Sequence, residues 1–214
     1  MQNKSTEPPP HEAVSCGVAI YIFPGVEVLD FAGPYQVFTT ASRLVTKNNP
    51  SARHPFSVFT IARQAEATRA RHGLVLTPDH TFVSHPSIEL LIIPGGDVTE
   101  ELKCPAVSQW ISRTAAKATL TASICTGSFL LAQAGLLDRR TATTHWEDVA
   151  DLRKMFPSVT VVEGRRWVDE GEIVTSAGIS AGIDMSLYLV QRWAGRELAL
   201  STARQMDYIW HEDT

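Results

Sequence analysis

Two stretches of this chain are apolar without alternation, and each ends abruptly. Ser15 to Phe23 is closed by Pro24-Gly25, and Glu89-Leu-Leu-Ile-Ile93 by Pro94-Gly95-Gly96. A strand that shows neither face to water has no reason to alternate, and that situation arises inside a parallel sheet covered on both sides. A third stretch, Thr119 to Ile124, is rich in Thr, Ile and Ala and free of Pro and Gly, which suits another buried strand. Between these runs the apolar spacing turns helical. One helix opens at Leu29-Asp30 and continues through Tyr35, Val37, Phe38 and Leu44. Another, Pro105 to Lys117, gathers Val107, Trp110, Ile111 and Ala115 on one face. A third follows Cys125 with Phe129, Leu130, Leu131 and Ala134 and stops at Gly135. A long apolar helix starts near Gly178, with Ile183, Leu187, Val190 and Trp193, and Gly195 to Tyr208 adds a last one. Strands alternating with helices predict a mainly parallel sheet with helices on both faces.

The remaining pieces fit the same plan. Phe56 to Ala62 alternates as a strand, and Lys47 to His54 is a polar loop. Thr68 to Pro78 reads as a strand pair set apart from the main sheet. Arg140 to Thr143 and Val159 to Val162 are short strands on either side of a helix from Trp146 to Phe156. Arg166 to Val174 is a pair of strands around an Asp-Glu-Gly turn. A chain of 214 residues is long enough for one well-buried domain, expected over 15–214, and cramped for two. Residues 1–14, polar and carrying Pro8-Pro9-Pro10, read as a disordered tail without the apolar core of a signal peptide.

Charge and cysteine usage narrow the functional classes. A formal net charge of −4 offers no basic excess to hold phosphates, so nucleic acid is not expected as a partner. No apolar run is long enough to span a bilayer, so no membrane association is expected either. The three cysteines, Cys16, Cys104 and Cys125, are odd in number and irregular in spacing. That is neither a disulfide framework nor a zinc pattern, and it suits a reducing cytoplasm.

Cys125 stands where a strand turns into a helix. A helix N-terminus presents unpaired N–H groups and a positive dipole end, and both favour the thiolate. Gly127 permits a tight turn there, as in a nucleophile elbow. A small buried hydrophobe is the equally weighted alternative. Asp30 has two readings as well. It suits a helix N-cap, or a carboxylate held at the sheet edge where ligands bind in open α/β folds. Gly95 and Gly96 bring backbone close to a ligand, and near a nucleophile an exposed N–H of Gly96 would serve as an oxyanion donor. His145 lies between strand and helix, where a cap is the commoner role. Asp184 is expected to stabilise a helix terminus. His72 and His80 read as solvated surface histidines, and Cys104 as incidental.

The motifs, taken together, resemble the ThiJ/PfpI superfamily. They are Phe23-Pro24-Gly25-Val26 with Leu29-Asp30-Phe-Ala-Gly33-Pro34, Ile93-Pro94-Gly95-Gly96, Ser-Ile-Cys125-Thr126-Gly127-Ser, Arg140-Thr-Ala-Thr-Thr144-His145-Trp146, and Thr175-Ser-Ala-Gly178-Ile-Ser-Ala-Gly182-Ile-Asp184. They run in the family's order from Cys16 to Met206. The pattern is similar to isonitrile hydratases and to the amidase-like sensor domains of AraC-type regulators. The resemblance implies a flavodoxin-like three-layer sandwich of the class I glutamine amidotransferase type, and a homodimer.

It also implies a chemistry. Protease members of the family carry histidine directly after the cysteine, where this chain has Thr126. Thr126 and Asp30 match the hydratase pattern, in which Cys125 attacks an isonitrile carbon, Asp30 moves the proton, and water resolves the thioimidate to an N-substituted formamide. Asp30 and Cys125 would share one proton, because two like charges side by side are costly. Thr126 would turn its hydroxyl toward substrate or Asp30 and its backbone N–H beside that of Gly96. Phe31, Tyr35, Trp146 and Ile179 are candidates for the pocket wall, with His145 and Gly95 close by. The substrate is a small molecule, and no metal or organic cofactor is required. The alternatives are a non-catalytic ligand or cysteine-redox sensor and, third, a glyoxalase-type or amidase-like enzyme, the glyoxalase using Cys125 with His145.

Overall fold

The elements below come from a computed structural model that describes residues 15–212, so the tail expected over 1–14 lies outside the described residues. In chain order they are β1 (Cys16–Tyr21), α1 (Val28–Asn48), β2 (Phe56–Ala62), β3 (Thr68–Arg69), β4 (Val75–Leu76), β5 (His80–Thr81), β6 (Leu90–Ile93), α2 (Thr99–Leu102), α3 (Pro105–Ala115), β7 (Leu120–Ile124), α4 (Gly127–Gln133), β8 (Thr141–Ala142), α5 (Val149–Met155), β9 (Thr160–Val161), β10 (Trp167–Asp169), β11 (Ile173–Ser176), α6 (Ala181–Ala194) and α7 (Arg196–Gln205).

A seven-stranded sheet runs in the order β10-β11-β7-β6-β1-β2-β5. All of its pairings are parallel except β10 with β11. The unalternated runs sit at its centre. Every residue of β1, β6 and β7 is buried, which is why these sequences show no polar face. The flanking strand β2 alternates and is buried on one side, as its pattern predicts. β3 and β4 form the separate antiparallel pair expected outside the main sheet.

Topology fixes where a ligand can bind. From β1 the chain steps one way to β2, and from β6 it steps the other way to β7 and β11. Right-handed crossovers therefore put α1 and α3 on opposite faces. α1 packs with α6 and α7, while α2, α3 and α4 pack together. The reversal falls between β1 and β6, and a crevice opens beyond the carboxyl ends of the strands there. Pro24-Gly25, Pro94-Gly95-Gly96 and Cys125-Thr126 all leave the sheet at this edge.

Several local expectations are corrected. α1 continues to Asn48 and takes in the start of the expected polar loop. Its cap is Glu27, whose side chain accepts from the Val28 N–H at 3.2 Å, so Asp30 is not the N-cap. Pro34 lies beyond the first turn, and the N–H it lacks would have gone to the Asp30 carbonyl. On α3 the buried face uses Thr114 rather than Ala115, because the 3.6-residue period places it under Trp110 and Ile111. The segment after His145 begins as a 3₁₀ turn, Trp146–Asp148, before α5. His80 is half-buried on β5 with its ring edge-on to Phe59, whereas His72 is exposed as expected. Cys104 is not isolated, since the Arg63 guanidinium lies 3.5 Å from its sulfur. Asp184 does more than settle a helix end. It is fully buried, pairs with Arg166, and accepts the His211 N–H at 2.9 Å.

Candidate active site

Cys125 is the point where β7 ends and α4 begins, and its backbone is left-handed, with φ +55°. A non-glycine residue held there stores about 1–3 kcal/mol that the surroundings must offset. They do so through hydrogen bonds. Its N–H donates to the Ser176 carbonyl at 3.2 Å, and its carbonyl accepts from Ser128 Oγ at 3.1 Å and Thr144 Oγ1 at 2.9 Å. The elbow also depends on close approach. A Cβ on Gly127 would lie 2.0 Å from the Ile93 carbonyl oxygen, and one on Gly95 would lie 2.6 Å from the Thr126 nitrogen. Any side chain at either glycine would push the β6 and β7 loops apart.

Asp30 reaches the same point from α1. It is fully buried, and Oδ2 accepts the Gly95 N–H at 3.0 Å. Oδ1 has no well-aligned hydrogen bond, and the donor facing this carboxyl is the Cys125 thiol. Burial, partly offset by the Gly95 N–H, pushes the Asp30 carboxyl up to about 7. Burial first and the Asp30 charge second push the Cys125 thiol up to about 12. The expectation of a thiolate favoured by the helix end is therefore reversed. The backbone N–H groups of Thr126 and Ile179 do point at the sulfur and pull the other way, but desolvation beside a carboxylate is larger. The pair holds a proton between two groups, as general acid–base work requires.

The Thr126 hydroxyl is bonded to Gly96 rather than to Asp30. Oγ1 accepts the Gly96 N–H and donates to the Gly96 carbonyl, each at 2.9 Å. The Gly96 N–H is thereby occupied, and the donors that converge on Cys125 are those of Thr126 and Ile179. Ile179 has a positive φ of 50°, which helps to turn its N–H inward.

Above the sulfur lies a cavity of about 390 Å³. Of the residues singled out from sequence, Gly96, Cys125, Thr126, His145, Trp146 and Ile179 line it. Phe31 and Tyr35 do not. Phe31 packs into the core, and Tyr35 points from α1 to solvent. Four lining residues were not anticipated: Glu27, Arg71, Glu147 and Asp148. All sit on loops or turns at the carboxyl edge of the sheet, and that position is their only signal in the sequence. Arg71 comes from the loop between β3 and β4 and lies 3.4 Å from Glu27. The wall therefore carries four charged side chains. Among the described residues, no group of three or more His, Cys, Asp or Glu is placed to hold a metal ion. Among the described residues, no helix is long and apolar enough to cross a membrane.

The fold and site define an α/β sandwich with a buried cysteine–carboxylate pair at a strand–helix elbow. The chain belongs to the DJ-1/PfpI family, which matches residues 17–192. It is 31% identical over 192 residues to an isonitrile hydratase of Pseudomonas putida, covering 89% of this chain and 78% of that protein. It is 30% identical over 161 residues to the HTH-type transcriptional regulator GbdR of Pseudomonas aeruginosa, covering 75% of this chain but 44% of the regulator. Among solved structures, a ThiJ/PfpI family protein from Pseudomonas syringae superposes with a TM-score of 0.80 at 24% identity, over 99% of this chain and 84% of that one, and shares the flavodoxin-like fold.

Proposed function

We propose that the protein is a cysteine-dependent hydratase acting on an isonitrile. The observation that carries this reading is the buried Asp30–Cys125 pair, whose proton is available beneath a cavity of about 390 Å³. The thiol is neutral near pH 7, so attack must be coupled to loss of its proton, and Asp30 is poised to receive it. Cys125 Sγ bonds to the terminal isonitrile carbon, and Asp30 returns the proton to that same carbon, giving an S-linked thioimidate. Water then adds to the carbon, the C–S bond breaks, the thiol recovers a proton, and an N-substituted formamide leaves. Isonitrile and water are consumed, with no oxidant or reductant. The Thr126 and Ile179 N–H groups steady the sulfur as charge develops on it.

The test is hydration of an aryl isocyanide followed by absorbance, with wild type, Cys125→Ala and Asp30→Ala. Formamide from wild type and from neither variant supports the reading. A folded wild type that leaves the isocyanide intact sinks it for that substrate class.

A second reading, a ligand-binding sensor, draws on the 30% identity to GbdR and on the charged cavity wall. A sensor would bind and release its ligand unchanged. Its redox form is disfavoured, because a neutral buried thiol oxidises slowly.

A further inference from the structure

We infer that His145, aligned by Asp148, is the base that activates water in the second half of the reaction, while Asp30 serves only the first. This rests on the hydratase reading above. The two aspartates approach the sulfur from different sides. Asp30 lies under it, fully buried and pinned to the Gly95 N–H. Once the thioimidate is seated on Cys125, the adduct stands between Asp30 and the cavity from which water must come. On the cavity side the chain places a different pair. His145 and Asp148 both line the cavity, with His145 Nδ1 3.4 Å from Asp148 Oδ2.

The position of His145 is tied to the nucleophile twice. Thr144, the residue before it, donates its hydroxyl to the Cys125 carbonyl at 2.9 Å. The ring packs on Gly178 through Cδ2, where an added Cβ would lie 1.9 Å from Cδ2, 2.9 Å from Cγ and 3.0 Å from Nε2. The next residue, Ile179, directs its N–H at the Cys125 sulfur. The ring therefore lies against the segment that touches the reacting atom. The turn that brings Asp148 back is closed by its own N–H on the His145 carbonyl at 3.0 Å. A carboxylate 3.4 Å from Nδ1 favours the ring proton on that nitrogen, which would leave the Nε2 lone pair to take a proton from water. The hydroxide equivalent adds to the thioimidate carbon while His145 passes that proton to the nitrogen; the hydroxyl proton then goes through His145 to the departing sulfur, and the formamide is released. Glu147, 3.8 Å from Nδ1 and well exposed, is a weaker neighbour.

The experiment is a rapid-quench time course with an aryl isocyanide, reading the intact mass of the protein and the formamide released. Wild type turns over with little adduct. His145→Gln is expected to gain the mass of one isonitrile on Cys125 at the wild-type rate and to release formamide about 100-fold more slowly. Asp148→Asn should slow release about tenfold, and Asp148→Glu should restore it in part. Imidazole added to His145→Ala should speed release, which a merely structural histidine would not allow. Release by His145→Gln at the wild-type rate overturns the proposal while leaving the hydratase reading intact. Equal loss of adduct formation and release in that variant, with its melting temperature unchanged, also overturns it. Wild type that forms neither adduct nor formamide overturns the hydratase reading and this role together.

Discussion

Asp30 and Asp184 are the same residue in the same local setting, the first turn of a helix, and both are fully buried. Their surroundings make them opposites. Asp184 is saturated. Its carboxylate pairs with Arg166 Nε at 2.6 Å and accepts the His211 N–H at 2.9 Å, and the Tyr208 hydroxyl bonds to it as well. Its backbone carbonyl takes the Trp210 indole N–H at 3.1 Å. It fastens the chain after α7 onto α6. Asp30 has one backbone N–H on Oδ2, no aligned partner on Oδ1, and a thiol in front of it. A buried carboxylate given every partner is structural. One left short of partners has a raised proton affinity, and that is what proton transfer uses.

The largest expected effect tests the functional half of this contrast. Asp30→Asn should lower isonitrile turnover by about 10²–10⁴-fold, the usual share of a general acid–base group. Asp184→Asn should leave single-turnover adduct formation on Cys125 within a few-fold of wild type at a temperature where it is folded. Steady-state kinetics and quenched mass spectra read the two directly.

Next is a pH effect on stability. Native Asp30 keeps its proton to about pH 7, whereas the unfolded chain releases it near the ordinary value of 3.8. Between those limits the native state holds more protons, so this group's contribution to stability falls as pH rises, by up to about 4 kcal/mol across the window. Urea midpoints from pH 4 to 8 should therefore decline for wild type relative to Asp30→Asn. Parallel curves would mean that Asp30 ionises normally. The third effect is structural. Asp184→Asn should cost about 3 kcal/mol in urea unfolding at pH 7. It leaves the half-buried Arg166 without its carboxylate and weakens the bond to His211, and the partial exposure of Arg166 keeps the loss at the low end for a buried pair. The smallest concerns the sulfur. With the thiol pushed up to about 12, iodoacetamide should label Cys125 slowly at pH 7. Asp30→Asn removes a negative neighbour and should speed labelling several-fold, as peptide mass mapping can resolve.

Much of this was legible in the chain. The unalternated runs ending at Phe23 and Ile93 announced central parallel strands, and Cys125 before Thr126-Gly127 announced the elbow. The pairing of Asp30 with Cys125 came through motif resemblance, since 95 positions of sequence separate them. The cavity wall was read in part. Trp146 and Ile179 line it, but Phe31 and Tyr35 do not: Phe31 packs into the core and Tyr35 faces solvent. Glu27, Arg71, Glu147 and Asp148 were missed, because a charged loop residue looks the same in sequence whether it faces bulk water or a cavity.

The sequence by itself determined the layers, the position of the elbow and the need for glycine beside it, because periodicity and steric limits are local. The tertiary structure decided protonation and direction. The sequence placed a cysteine at a helix start, where the dipole favours a thiolate. Only the fold put that sulfur out of water and against a carboxyl, and in a medium of low polarity desolvation outweighs the dipole. The direction of the Thr126 hydroxyl, closed on Gly96 rather than on Asp30, was decided the same way, by which backbone groups the ends of β6 and β7 bring within hydrogen-bond reach.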